Sequence, residues 1–192
     1  SVLQNKSPSF DDQGAMYESV NYANYALYEY LLFRLGYVNT YGADRAPVTP
    51  ILDKAGDFFL HTCYPRPSSL LTVNFGDGNL HGNAGQAVAL LLANGYDNPY
   101  LRWYLARTGM KTSPLALLYC RDGEQERPHM LDTSALYPEI GWAVMRSSWE
   151  DDATLLAVKS GFTWNHAHAD AGSFIVFHAG RPLIIDSGNC SY

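Results

Sequence analysis

The chain has 192 residues, of which 47% are hydrophobic and 17% charged, with a formal net charge of −6. That composition is globular, and the acidic balance excludes the basic face on which general nucleic-acid binding relies. An anionic ligand stays open, because a few local cations can dominate one cleft. No run reaches the roughly 18 apolar residues of a membrane helix, and the N-terminal residues carry no signal-peptide pattern. Three cysteines (Cys63, Cys120 and Cys190) lack metal-ligand spacing, and their odd number does not settle the compartment. The 14 tyrosines suit sugar-binding clefts and ordinary helix packing alike. The absence of an initiator Met, and an end just after a strand-like run, read as a piece of a longer protein.

The first part reads as helical. From Tyr17 to Leu35, residues Tyr22, Tyr25, Ala26, Leu32 and Leu35 recur at helical spacing, with Gly36 as the expected stop. Further helices are expected at Ile51 to His61, ending before Pro65, and at Asn83 to Asn94, closed by Gly95. Asp97-Asn98-Pro99 opens a fourth through Arg107, and Ser113-Pro114 a short fifth through Tyr119. Residues 121–138 are polar and proline-interrupted, which predicts a linker between a helical part, 1–120, and a β part, 139–192.

Beyond that linker the period changes to two. Gly141 to Arg146, Thr154 to Lys159, Ser173 to His178 and Leu183 to Asp186 read as strands, with Gly180-Arg181-Pro182 as a hairpin turn. Helices followed by strands predict an α+β, two-domain chain.

The chemistry concentrates in Trp164-Asn165-His166-Ala167-His168-Ala169-Asp170. In an extended segment His166, His168 and Asp170 would share one face. Burying such groups without partners is costly, so the cluster marks a site. A metallo-β-lactamase-type motif, His-x-His-x-Asp-His, fails at its last position, where Ala171 stands. A plain reading has these groups hydrogen-bonded inside a β layer. Asp186, across a probable hairpin, offers a further oxygen for a four-coordinate zinc, though two ligands do not complete a site.

The stretches "WAVMRSSWEDDATLLAVKSG" and "NHAHADAGSFIVFHAGRPLIIDSG" resemble the start of the β-sandwich of heparinase II/III-like polysaccharide lyases, a family related to alginate and oligoalginate lyases. "YESVNYANYALYEYLLF" is similar to the Glu-x-x-x-Tyr-x-x-Tyr helix of that family's α/α toroid, and "FGDG" at Phe75 to Gly78 adds to the likeness. The resemblance implies the end of an α/α toroid followed by the start of an antiparallel β-sandwich. It implies β-elimination on a uronate-containing acidic glycan, heparan-like or alginate-like. Tyr22 then looks like the catalytic tyrosine, with Tyr25 the runner-up and a substrate contact, and His166 like the base or orienting histidine. Asn165 joins the substrate-binding set. His168 and Asp186 resemble ligands of a structural zinc whose third ligand lies outside the chain. If both histidines keep these roles, the segment bends or bulges between them. The residue that neutralises the uronate carboxylate is expected upstream of the chain. An acidic polysaccharide or oligosaccharide is the implied partner, and the periplasm or cell exterior the implied location.

Arg146, alternating with Trp142 and Val144, suits a substrate carboxylate or sulfate, or a sandwich-edge salt bridge. Asp77 and His81 lie in a glycine-rich loop that suits a cleft wall, although turn chemistry alone explains its Gly and Asn, and His61, His129 and His178 show no partner pattern. The rival readings are a non-catalytic glycan-binding protein on the same architecture and a metal-dependent hydrolase.

Overall fold

The structure, a computed structural model, describes residues 10–46, 49–67, 69–119, 124–161, 166 and 168–189. Helix α1 spans Val20–Tyr41, and the Ser19 hydroxyl caps it by accepting the Tyr22 N–H at 3.2 Å. Its buried stripe is Val20, Ala23, Leu27, Leu31 and Leu35, not the tyrosine-rich face expected from sequence. Aliphatic side chains at three- and four-residue intervals bury without stranding a hydroxyl, so Tyr22 and Tyr25 are left off the core stripe. Gly36 does not end the helix. The chain runs on to Gly42, whose left-handed φ of 94° closes it.

Helix α2, Ile51–His61, forms over the expected residues. It leads into a hairpin that the helical reading missed, β1 (Cys63–Arg66) against β2 (Ser69–Thr72), with Pro65 opposite Leu70. Helices α3 (Gly85–Ala93), α4 (Pro99–Ala106, capped by Asn98) and α5 (Pro114–Tyr119) follow, and α3 packs against α1, α4 and α5.

Five antiparallel strands then pair in chain order: β3 (Ser134–Tyr137), β4 (Trp142–Arg146), β5 (Thr154–Lys159), β6 (Ser173–His178) and β7 (Arg181–Ile184). Strand β3 lies inside the stretch expected as linker. Strand β7 starts at Arg181, earlier than expected, because the hairpin turn is Ala179-Gly180. Both residues are left-handed, at φ 46° and 77°, which suits the twist of a two-residue loop and places Arg181 opposite His178.

Strand alternation makes the sheet two-sided. Trp142, Val144, Leu155, Ala157, Ile175 and Phe177 are buried, whereas Leu136, Met145, Phe174 and Ile184 are exposed. The buried face shares one hydrophobic core with the helices. Phe58 meets Tyr137 edge-on at 5.1 Å, Phe75 meets Trp142 at 5.1 Å, and Tyr64 stacks on Phe177 at 5.1 Å. His61, for which the sequence offered no partner, is buried between Tyr137 Oη and the Asp132 carbonyl, each at 3.2 Å. Burial, helped by the nearby Arg146 charge, lowers its pKa below the usual imidazole range.

Arg146 requires a correction. Its side chain is buried, with the guanidinium 3.8 Å above the Trp149 ring. Its Nη2 donates to the carbonyls of Leu60 (3.3 Å), His61 (2.5 Å) and Cys63 (2.8 Å). Burial pulls its pKa down to about 10, so it stays charged at neutral pH. Strand alternation does aim Arg146 to the same side as Trp142 and Val144, but that side is the core. Its work is to tie β4 to the end of α2, not to meet substrate. Arg146→Met strands these carbonyls and is expected to cost about 3 kcal/mol or more, at roughly 1–3 kcal/mol per unsatisfied buried group, read by chemical denaturation.

Candidate functional site

Three segments meet at one place: the start of α1, the turn that follows β2, and the loop between β5 and β6. Ser19 fixes the first turn of α1 and so fixes Glu18 and Tyr22, one on each side of the cap. The turn from Asn74 to Gly78 is held by Phe75, which is buried against Trp142, and by backbone contacts to the sheet's loops. Asp77 N–H donates to the His166 carbonyl at 2.9 Å, and Asn74 Nδ2 donates to the Asp186 carbonyl at 3.1 Å. The Gly188 backbone comes so near that a Cβ there would lie 2.9 Å from the Gly78 carbonyl oxygen.

The histidine-bearing loop is anchored at its far end. The nearly buried Lys159 ammonium pairs with Asp170, Gly172 N–H donates to the Lys159 carbonyl at 2.7 Å, and Ser173 N–H to the Asp170 carbonyl at 2.9 Å. An ion pair removed from water is sustained only by such close geometry. The extended segment that would align His166, His168 and Asp170 therefore does not form. Strand β6 begins only at Ser173, and His166 takes a left-handed φ of 57°, so the chain turns there.

The His166 imidazole stacks on the Tyr22 ring, centroids 3.8 Å apart and planes 15° apart. Its Nδ1 faces Glu18 Oε2 at 3.0 Å, and His168 Nε2 faces Asp77 Oδ1 at 2.9 Å. The two carboxylates are 13% and 10% exposed and their imidazole partners 30% and 35%, so the acids sit behind the rings they orient. Burial, then the negative charges of Asp77 and Glu18, raise the Tyr22 pKa above the ordinary phenol value. At neutral pH Tyr22 is therefore a proton donor.

Glu18 and Asp77 are the participants that received no role from sequence. Glu18 stands within the quoted helix motif, four residues before Tyr22, and that offset was its only signal. Asp77 looked like a turn residue. Tyr25, one turn along α1 from Tyr22, is 62% exposed. Asn165 lies outside the described residues. Of the donors expected for zinc, His168 Nε2 faces Asp77, and Asp186 Oδ1 accepts the Gly188 N–H at 2.9 Å. Among the described residues no group of three His, Cys, Asp or Glu side chains surrounds a point where an ion could sit, short of the four ligands zinc usually takes.

Residues 129–192 match the family described as Heparinase II/III-like, C-terminal. This stretch, a third of the chain, is what resembles that family. It contains His166, His168 and Asp186, while Glu18, Tyr22 and Asp77 come from the preceding helical part. Solved structures cover both parts. Heparinase III superposes with a TM-score of 0.72 at 18% identity, over 99% of this chain and 29% of that one. The heparan sulfate lyase HepC from Pedobacter heparinus gives 0.64 at 16% identity, over 94% of this chain and 26% of that one. A second heparinase III structure gives 0.65 at 20% identity, over 94% and 26%. At these identities the likeness concerns the fold. The chain spans under a third of the length of each of these proteins. No curated protein matches it.

The ring stack between the heparinase II/III-like segment and α1 can be tested without any assay of function. Tyr22→Phe keeps the stacked ring and is expected to leave stability nearly unchanged. Tyr22→Ala removes it and is expected to cost about 0.5–1.5 kcal/mol beyond the area lost. Equal denaturation midpoints for the two variants would show that the stack contributes nothing.

Proposed function

We propose that the protein carrying this chain is a polysaccharide lyase that cleaves a uronate-containing acidic glycan by β-elimination. The observation that carries this reading is the Tyr22 phenol stacked on the His166 imidazole, with Glu18 and Asp77 behind them. The Heparinase II/III-like match of residues 129–192 supports a lyase at the level of the family.

The residues suit the reaction's needs. A C5–H beside the uronate carboxylate is weakly acidic, so a base must take its proton while an acid protonates the leaving O4. His166, oriented by Glu18, is the base, and Tyr22 the acid. The C5–H electron pair becomes the C4–C5 double bond, the C4–O4 pair leaves with O4, and the Tyr22 proton goes to that oxygen. Asp77 keeps the Tyr22 proton in place until the leaving group needs it, and also orients His168. Tyr25, exposed one turn away, and Asn165 complete the proposed sugar contacts.

On this reading the helices are the end of an α/α toroid and the sheet the start of a β-sandwich. A polymeric acidic glycan as substrate puts the protein in the periplasm or outside the cell. Zinc on His168 and Asp186 would be structural and would need ligands beyond the described residues, and no step of the reaction uses it. Among the described residues no helix is long and apolar enough to cross a membrane.

The test is absorbance of the unsaturated product from heparan sulfate and alginate, using the full-length protein. Tyr22→Phe and His166→Ala are each expected to lower kcat at least about 100-fold, the scale of general acid–base catalysis. Unchanged turnover in both would remove their roles. Saturable binding with no double bond formed would mark a glycan-binding protein, and a saturated product lost on chelation a hydrolase.

A second expectation concerns pH. Activity that needs the Tyr22 proton falls on the alkaline side as the phenol ionises. Because the Asp77 charge raises that pKa, Asp77→Asn lowers it, and the alkaline limb of kcat moves to lower pH. A limb that stays in place or moves upward excludes Tyr22 as the group that sets it.

A further inference from the structure

A cleft opens between the β1–β2 hairpin and the end of α4. Its volume is about 420 Å³, within the range of small-molecule sites, and Arg66, His81, Asn83 and Arg107 bring the polar groups to its lining. Among the described residues no carboxylate lines it, in a chain whose formal charge is −6. Arg66 forms no ion pair among the described residues. Arg107 is held over the Trp103 ring at 4.5 Å, and its nearest acid, Asp151, stands 3.9 Å away and lies closer to Arg127, at 3.5 Å. Its Nε is buried without a hydrogen-bond partner. Asn83 spends its carbonyl oxygen on the Gly85 N–H at 2.9 Å, so the amide NH₂ is its remaining donor group.

The cleft is joined to the Tyr22 site through one short segment. His81 and Asn83 flank Gly82, and Asn21, the neighbour of Tyr22, packs so tightly there that a Cβ on Gly82 would lie 2.6 Å from Asn21 Oδ1. The Thr72 hydroxyl pins the same segment by donating to the Gly82 carbonyl at 3.1 Å. The Gly82 segment thus connects the recess to the residue beside Tyr22.

We propose that Arg66, Arg107 and His81 form an anion subsite that takes a sulfate or carboxylate of a sugar adjacent to the one cleaved. This subsite rests on the lyase reading for its substrate, but it acts through binding and not through the reaction. The guanidinium groups match a planar or tetrahedral oxyanion and hold it by charge-assisted hydrogen bonds. The recess thereby sets which acidic glycan is preferred.

The test is calorimetric binding of a sulfated heparan oligosaccharide and of its chemically desulfated form, which keeps the uronate carboxylates, to the full-length protein. Arg66→Gln is expected to weaken binding of the sulfated ligand by about five- to tenfold, the size of one partly exposed charge-assisted contact. Arg66→Lys, which keeps the charge, is expected to restore part of it. Arg107→Gln should act in the same direction, and because Arg107 also packs on Trp103, Arg66 is the deciding position. Loss confined to the sulfated ligand identifies sulfate as the occupant, and equal loss for both identifies the carboxylate. If Arg66→Gln and Arg107→Gln bind both glycans as the parent protein does, or the parent binds neither, the subsite is wrong. Product formed normally alongside unaffected binding defeats only the subsite. Arg66-dependent binding without any unsaturated product defeats only the lyase.

Discussion

The arrangement depends on how closely the turn after β2 approaches the loops of the sheet. At Gly78 a Cβ would lie 2.7 Å from the Asn74 backbone, and at Gly188 one would lie 2.9 Å from the Gly78 carbonyl. Only glycine lets the turn close on itself and lets the second chain lie against it. With those side chains absent, Asp77 reaches the His166 carbonyl and Asn74 the Asp186 carbonyl. Three segments far apart in sequence are thus held together by one backbone and one side-chain hydrogen bond, and the side chains at the junction inherit their positions from it.

Around that junction the protein uses two buried cations as ties. Arg146 binds β4 to the carbonyls at the end of α2, and Lys159 binds the end of β5 to Asp170. Neither is a favourable place for a charge by itself, since desolvation opposes it. Each is compensated by oxygens already fixed by strand or helix. The consequence is positional: the sheet cannot slide relative to the helices, and the loop that carries His166 and His168 is held at its C-terminal end. The rings can then meet the carboxylates without being buried among them.

Much of the fold was legible because its signals are local. The strands from Thr154 to Lys159 and from Ser173 to His178 alternate cleanly, and α2 and α4 carry their own boundaries in Pro50 and Asn98-Pro99. The β1–β2 hairpin was hidden because its strands are short and one contains Pro65. The face of α1 was misread because tyrosine spacing and aliphatic spacing coexist on it, and only packing decides which is buried. The pairing of Glu18 with His166 joins residues 148 positions apart, and that of Asp77 with His168 joins residues 91 apart. No periodicity encodes such contacts. Arg146 shows the opposite failure: its direction was read correctly, but what lay in that direction could not be.

The distribution of charge then acquires a physical logic. The carboxylates Glu18 and Asp77 stand next to the Tyr22 phenol, where their negative charge raises its pKa and, on the proposed reading, keeps its proton in place until it is delivered. The same carboxylates would repel an anionic sugar if nothing offset them. The cations of the proposed subsite lie apart from these groups, among which they would lower the phenol's pKa and make it give up its proton too readily. They lie across the Asn21–Gly82 contact, in a recess without a carboxylate among the described residues. On the proposed reading, separating attraction for the polymer from control of the proton lets each be set independently. A few ångströms of glycine-permitted backbone make that separation, the same kind of close approach that assembles the junction itself.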